Sequence, residues 1–139
     1  MACMSQPLQV DIGALTDEEC LRYLATPGLG RLAVSVRALP TILPVRFVLD
    51  GGEILFRVRA GSVLASGTEH TVVAFEADGA DHAEGVPHAW SVVATGLARH
   101  VSDDSRGHDG LRRWSVDGSD VLVALCPTVV TGRRVRVDW

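Results

Sequence analysis

Cysteine is scarce in this sequence, and its placement excludes two classes of protein. Only three cysteines occur in 139 residues, at Cys3, Cys20 and Cys126, and none belongs to a CxxC pair. Because disulfide frameworks and zinc sites need cysteines at characteristic short spacings, neither is predicted. We expect reduced thiols and assign no metal site.

Basic charge and long apolar runs are also lacking. Lysine and arginine number 13 against 17 aspartates and glutamates, giving a net charge of −4, so the phosphate-neutralising surface of a nucleic-acid-binding protein is not predicted. No apolar run approaches the roughly 20 residues that cross a bilayer. Residues 1–10 lack the basic start and apolar middle of a signal peptide. The sequence predicts a cytoplasmic protein with no nucleic-acid or membrane partner.

The short motifs of hydrolases and nucleotide-binding enzymes are absent too. There is no nucleophile elbow, P-loop or GxGxxG motif, so no residue is assigned a catalytic role. Glu76 and Asp78 are expected to share a strand face and to pair with arginines. His82 and His88 lie among residues that could bind a metal, but without a recognised ligand spacing, and we interpret them as part of a solvated loop.

What is present indicates a globular domain. The hydrophobic share of 47% and the charged share of 22% are ordinary values for a folded protein, and 139 residues suit one domain. We therefore predict a single domain over residues 1–139, with 1–14 as a flexible tail.

A helix is predicted to begin near Thr16. The run Thr16-Asp17-Glu18-Glu19 has the order of a capping box, in which a hydroxyl and a carboxylate each accept a hydrogen bond from a backbone amide. Pro27-Gly28 should end this helix after about ten residues.

The rest of the chain alternates apolar and polar residues with a period of two, which is typical of half-buried strands. A hairpin turn is expected at Asp50-Gly51-Gly52, a loop over 79–87, a bend or bulge at Gly96, a short helix over 109–116 and a break at Pro127. The predicted strands are 30–37, 43–49, Glu53–Arg59, 71–78, 89–101 and 121–125, with an extended tail over 131–139. Consecutive antiparallel strands with one clear helix favour a mainly β barrel, and a β-sandwich is the alternative.

The segment 56–64 is the strongest candidate site. On its strand, Ile54, Phe56 and Val58 form an apolar face, so Arg57 and Arg59 project together from the other side. The turn Ala60-Gly61-Ser62 follows directly and offers backbone amides and a hydroxyl. These groups could surround a phosphate; the alternative is an edge strand with solvated arginines.

The sequence resembles the pyridoxamine 5′-phosphate oxidase-like family of flavin-binding split barrels, mainly over residues 15–98. The motifs that carry the resemblance are Gly30-Arg31-Leu32, Pro40 and Pro44 before 45–49, Phe56-Arg57 with Gly61-Ser62 and Leu64, VAFEAD at 73–78, and Trp90-Ser91-Val92 with Gly96.

This resemblance implies a six-stranded antiparallel split barrel with a short N-terminal helix. It implies a homodimer that binds FMN in clefts built by both subunits, whereas other members bind F420 or haem. Arg57, Arg59, Gly61 and Ser62 would bind the phosphate, and the strand with Trp90 and Ser91 would line the cofactor cleft.

Two positions differ from the pattern of the family. Many relatives have a threonine where this chain has Val58, and usually a lysine where it has Val63. The sequence therefore predicts a weakened phosphate site in which Arg57 and Arg59 act together.

The leading functional hypothesis is an FMN- or F420-dependent oxidoreductase acting on an unknown small molecule. The alternatives are a non-catalytic flavin- or haem-binding or sensing protein, and a barrel that has lost its cofactor.

Overall fold

The computed structural model describes residues 12–83, 85–102, 111 and 119–137. Apart from Leu111, the helix expected over 109–116 lies outside these residues. Within them, no helix is both long and apolar enough to span a bilayer.

The predicted N-terminal helix is confirmed as α1, Asp17–Leu24. Thr16 Oγ1 accepts a hydrogen bond from the Glu19 amide at 3.2 Å, and the Glu19 carboxylate accepts one from the Thr16 amide at 3.0 Å. The latter bond is the main reason that the pKa of Glu19 is lowered. Cys20 and Leu24 face the core, so this capped helix packs against the barrel.

Six long strands form a closed ring, which confirms the mainly β split barrel. The described residues contain seven strands in all, of which the short first one lies outside the ring: β1 Ile12–Ala14, β2 Gly28–Val36, β3 Leu39–Asp50, β4 Glu53–Arg59, β5 Thr71–Ala83, β6 Val86–Val101 and β7 Asp120–Arg136. A second helix, α2, spans Val63–Gly67. The ring runs β7-β4-β3-β2-β5-β6 and closes through the pairing of β6 with β7. The short β1 lies within the segment expected to be a tail and pairs with the end of β7.

Two tight turns set the pairing register of β2 with β3 and of β3 with β4. The turn expected at Gly51-Gly52 is confirmed, and both glycines have positive φ angles of 58° and 82°. The β2–β3 turn places Arg37 and Ala38 at φ 52° and 63°. Because such angles normally favour glycine or asparagine, the sequence carried no signal for this second turn.

The loop expected over 79–87 is wrong. Strands β5 and β6 remain paired through Gly79–Trp90 as far as Ala83–Val86, and Gly85, with φ 76°, lies in the turn that joins them. Glycine, proline and histidine interrupt the alternation of apolar and polar residues in this segment. Cross-strand hydrogen bonds and the β7 partner supply the order that local composition does not indicate.

The strand break expected at Pro127 is also wrong, whereas the irregularity expected at Gly96 is present as a β-bulge. Strand β7 continues through Pro127, and the β6–β7 register shifts between Thr95 and Gly96, leaving an additional residue on β7. A β-bulge accommodates proline because the ladder is locally interrupted there.

We expect Gly96→Ala to destabilise the barrel by about 1 to 3 kcal/mol, the usual range for overpacking. A Cβ at this position would lie 1.9 Å from the Cys126 carbonyl oxygen, so backbone must move. Gly28→Ala is the control, since its Cβ would come no closer than 3.9 Å to Phe47. In chemical denaturation, Gly96→Ala should unfold at a lower midpoint concentration of denaturant than Gly28→Ala. Equal midpoints would contradict the steric argument at the bulge.

The interior and one outer surface are both hydrophobic. The barrel interior is filled by side chains such as Leu32, Phe56, Phe75 and Val92. Outside β3, β4 and β7, a second cluster comprises Val48, Leu55, Leu111, Leu122 and Ala124. This outer cluster covers part of the surface from which Arg57 projects.

Candidate functional site

Strand β4 presents its arginines as the sequence predicts. Ile54, Phe56 and Val58 are buried inside the barrel, whereas Arg57 is half-buried and Arg59 is exposed on the outer side. The neighbouring Leu55 shares the arginine side and is completely buried, which explains why Arg57 is less exposed than Arg59.

A third arginine, which sequence reasoning missed, lies beside Arg57. Phe47 pairs with Phe56 across β3 and β4, so Arg46 and Arg57 are neighbours on adjacent strands. Both line a cavity of about 60 Å³ together with Leu111. The signal was available: counting back from the Gly51-Gly52 turn gives this register, and alternation directs Arg46 outward.

Hydrogen bonds of Ser62 stabilise the turn after β4. The Ser62 hydroxyl donates a hydrogen bond to the Arg59 carbonyl at 2.6 Å and accepts one from the Ala65 amide at 3.2 Å. The Ser62 amide also donates to the Arg59 carbonyl, at 3.1 Å. Gly61 has φ 77°, with open space where a Cβ would lie. An anion would therefore find the arginines and the Gly61 backbone more accessible than the Ser62 polar groups.

The two departures from the family pattern have different structural meanings. Val58 is 3% exposed within the core, on the side opposite Arg57, so it does not affect an anion beside the arginines. Val63 begins α2 and is 51% exposed, so an apolar side chain does stand near the turn. Of the two, only the substitution at Val63 removes a polar group from the outer surface.

Trp90 and Ser91 belong to a different region from the arginines of β4. Both line an open trough of about 570 Å³ together with Asp78, Gly79 and Arg133. Gly79 allows the indole to lie close, since a Cβ there would be 2.9 Å from the ring. Arg133 is one of three arginines near the end of β7, together with Arg134 and Arg136.

An ion-pair network connects this trough to a second hollow. Arg31 Nη1 lies 2.9 Å from Glu76 Oε1 and 3.3 Å from Asp78 Oδ1, and Ser91 donates a hydrogen bond to Glu76 at 3.1 Å. The hydrogen bond to Glu76 is the main cause of the raised Arg31 pKa. Arg31, Glu76 and Asp78 also line a hollow of about 280 Å³ with Ile42. Because these side chains are partly exposed, the network contributes more to orientation than to stability.

The inner side of Trp90 is fixed by aromatic and polar contacts. The Tyr23 ring stacks on the indole with centroids 4.5 Å apart, and the Tyr23 hydroxyl donates to Asp81 at 2.7 Å. Arg134 lies 3.4 Å from the same carboxylate. Burial, followed by the bond to Asp81, raises the pKa of Tyr23. These contacts hold the indole at the edge of the trough.

An apolar patch lies on the outer surface of β3, β5, β6 and β7. Its exposed members include Ile42 (68%), Val72 (64%), Val129 (58%), Leu97 (43%) and Val93 (37%). Val72 and Leu97 are joined by strand pairing. This outer apolar patch adjoins the hollow of about 280 Å³, which Ile42 and Val93 both line.

Within the described residues, the histidines of the β5–β6 hairpin do not belong to a group of three or more side chains that could hold a metal ion. His82 is exposed, and His88 Nδ1 lies 2.9 Å from the Val86 carbonyl oxygen.

Comparison with known proteins agrees with the geometry. The sequence model of the pyridoxamine 5′-phosphate oxidase family matches residues 16–134. An uncharacterized protein of Mycobacterium tuberculosis is 35% identical over 136 residues, which cover 92% of this chain and 88% of that protein.

Two solved structures have the same barrel. The FAD-binding protein from Mycobacterium smegmatis is 32% identical, with a TM-score of 0.69 and coverage of 90% of this chain and 99% of that one. An FAD-binding protein from Mesorhizobium loti has a TM-score of 0.72 at 19% identity, covering 89% of this chain and 98% of that one; at this identity the likeness shows the fold alone.

Proposed function

The chain belongs to the pyridoxamine 5′-phosphate oxidase family, and on this premise we propose that it binds a flavin nucleotide on the outer surface of its barrel and acts as a flavin-dependent oxidoreductase on a small molecule. The observation that carries the proposal is the position of Arg46 and Arg57, side by side around one cavity. Arg59 is the next outward residue of the same strand. Three guanidiniums on one surface provide strong donors for a phosphate.

The fit to a flavin nucleotide rests on charge and on space. The arginines and the Gly61 turn would hold the phosphate or pyrophosphate. The hollows beside Arg31 and Trp90, of about 280 and 570 Å³, fall near the 300 to 1,000 Å³ usual for ligand sites. Trp90 and Ser91 would border the remainder of the cofactor. The FAD bound by the Mycobacterium smegmatis protein supports FAD beside the expected FMN.

The bound flavin would supply hydride transfer, and this chain would supply binding and orientation. The Arg31–Glu76–Ser91 network would orient polar groups of a ligand, since each side chain already has a hydrogen-bonding partner that limits its rotation. The outer apolar patch would exclude water from the reacting region once covered.

We propose that a second copy of the chain covers this outer apolar patch. Contiguous exposed apolar surface is typical of interaction sites, and the patch borders the hollow that contains Ile42 and Glu76. A symmetric dimer would bury the patch on both copies and close the hollows into clefts.

Titration of the purified, cofactor-free chain with FMN, FAD, F420 and haem tests the proposal. We expect FMN or FAD to bind and to show the visible absorption and quenched fluorescence of a protein-bound flavin. Binding of haem or F420 alone would contradict a flavin nucleotide, and binding of none of the four would indicate a barrel without a cofactor. If nicotinamide or other electron donors reduce the bound flavin no faster than free flavin, the protein has a binding or sensing role.

A further inference from the structure

His100, on β6, joins the barrel wall to the end of helix α2. Its Nε2 lies 3.1 Å from the Ala65 carbonyl oxygen and 3.2 Å from Thr68 Oγ1. Its other ring nitrogen, Nδ1, contacts the Glu69 carboxylate. His100 therefore contacts three residues at the C-terminal end of α2 and in the segment that follows.

The chemistry of these partners determines which atoms donate. The Ala65 carbonyl can only accept, and the Thr68 hydroxyl already donates to the Leu64 carbonyl at 2.6 Å. His100 Nε2 must therefore carry a proton and donate. Nδ1 faces the Glu69 carboxylate, so both ring nitrogens of His100 are engaged by side-chain or backbone oxygens.

Helix α2 depends on such anchors. A helix of five residues is too short to be stable alone, and its last carbonyls have no partner within the helix. Thr68 and His100 bind the carbonyls of Leu64 and Ala65. Thr68 is completely buried, so its hydroxyl is shielded from water.

The same helix residue connects His100 to the turn beside the arginines. The Ala65 carbonyl accepts from His100, and the Ala65 amide donates to Ser62 Oγ. Ser62 Oγ then donates to the carbonyl of Arg59. Hydrogen bonds to the two backbone groups of Ala65 thus link β6 to the end of β4 through that residue.

We propose that His100, held by Glu69, is a positioning residue that fixes the Gly61-Ser62 turn and the end of β4 where the cofactor phosphate is bound. The inference rests on the proposed flavin-nucleotide function and extends it to a residue that touches neither cofactor nor substrate. Loss of this residue should therefore weaken binding of the cofactor phosphate and leave binding of the flavin ring unchanged.

The test compares FMN with riboflavin, which lacks the phosphate. We expect His100→Ala to weaken FMN binding by roughly threefold to tenfold, the consequence of losing an ordinary positioning hydrogen bond, with riboflavin affinity unchanged. His100→Gln, whose amide can still donate to Ala65, should recover most of the FMN affinity. Glu69→Gln should also weaken FMN binding. His82→Ala, at an exposed side chain, should bind FMN with wild-type affinity.

The outcomes separate the two proposals. A wild type that binds neither FMN nor FAD refutes the proposed function. A wild type that prefers FMN to riboflavin, with a preference unchanged in both His100→Ala and Glu69→Gln, refutes the positioning role alone. An equal loss of FMN and riboflavin affinity in His100→Ala also refutes it, because that result indicates a general structural effect. Thermal denaturation of each variant identifies any that fail to fold. If His100→Ala does not fold, Glu69→Gln still tests the positioning role, because the Glu69 side chain is half-exposed.

Discussion

Replacing Arg57 and Arg59 together by glutamine is expected to weaken the binding of FMN and FAD by about tenfold to a hundredfold or more. A charge-assisted hydrogen bond contributes about 1.5 to 3 kcal/mol, and each 1.4 kcal/mol corresponds to a factor of ten in affinity. Both side chains project from the outer side of β4, next to the turn that contains Gly61. Fluorescence titration of the cofactor-free chain gives the affinities directly.

The matched control is Arg37→Gln. Arg37 is an exposed arginine in the β2–β3 turn, at the opposite end of β2 from the residue that pairs with Arg46, so its loss changes the net charge without changing the site. Arg46→Gln provides a third measurement and should also weaken binding, since Arg46 shares a cavity with Arg57. If the double variant keeps wild-type affinity for both nucleotides, the arginines do not hold the phosphate.

The second large effect is expected at the outer apolar patch. Ile42→Asp should convert a dimer to monomers at micromolar concentration, because a carboxylate buried in an apolar interface costs several kcal/mol. That cost corresponds to a rise in the dimer dissociation constant of about a hundredfold or more. Light scattering coupled to size-exclusion chromatography measures the mass, and flavin affinity should fall with the loss of the dimer.

Leu39→Asp is the control for this prediction. Leu39 lies on the same strand and is 70% exposed, against 68% for Ile42, but odd-numbered positions on β3 project from the other side. The two variants therefore differ in position and not in chemistry or exposure. A wild type that is monomeric, or an Ile42→Asp variant that remains dimeric while binding flavin normally, would show that the patch does not join two copies.

Much of the fold follows from local signals along the chain. The capping box at Thr16, the alternation from 53 to 59 and the Gly51-Gly52 turn each specify an element by the geometry of a few neighbouring residues. Such signals succeed because backbone periodicity and capping are short-range properties. Strand β4 is found with the predicted bounds for this reason.

Where prediction fails, strand pairing outweighs local composition. Residues 79–87 look like a loop, yet 79–83 pair with 86–90 in a long hairpin. Pro127 looks like a strand end, yet the bulge opposite Gly96 provides a place for it. In both cases the decisive hydrogen bonds join residues whose proximity the local pattern does not encode.

The same distinction between local signals and long-range contacts applies to the candidate site. Alternation alone placed Arg57 and Arg59 on one side of a strand, and the order of short motifs indicated the family. Only the tertiary structure shows that Leu111 joins Arg46 and Arg57 around one cavity and that Ser62 is engaged by its own turn. The local sequence thus determined which face of β4 carries the charge. The remaining neighbours of that face were decided by tertiary structure, because the pairing of β4 with β7 and the docking of α2 through His100 depend on contacts between distant parts of the chain.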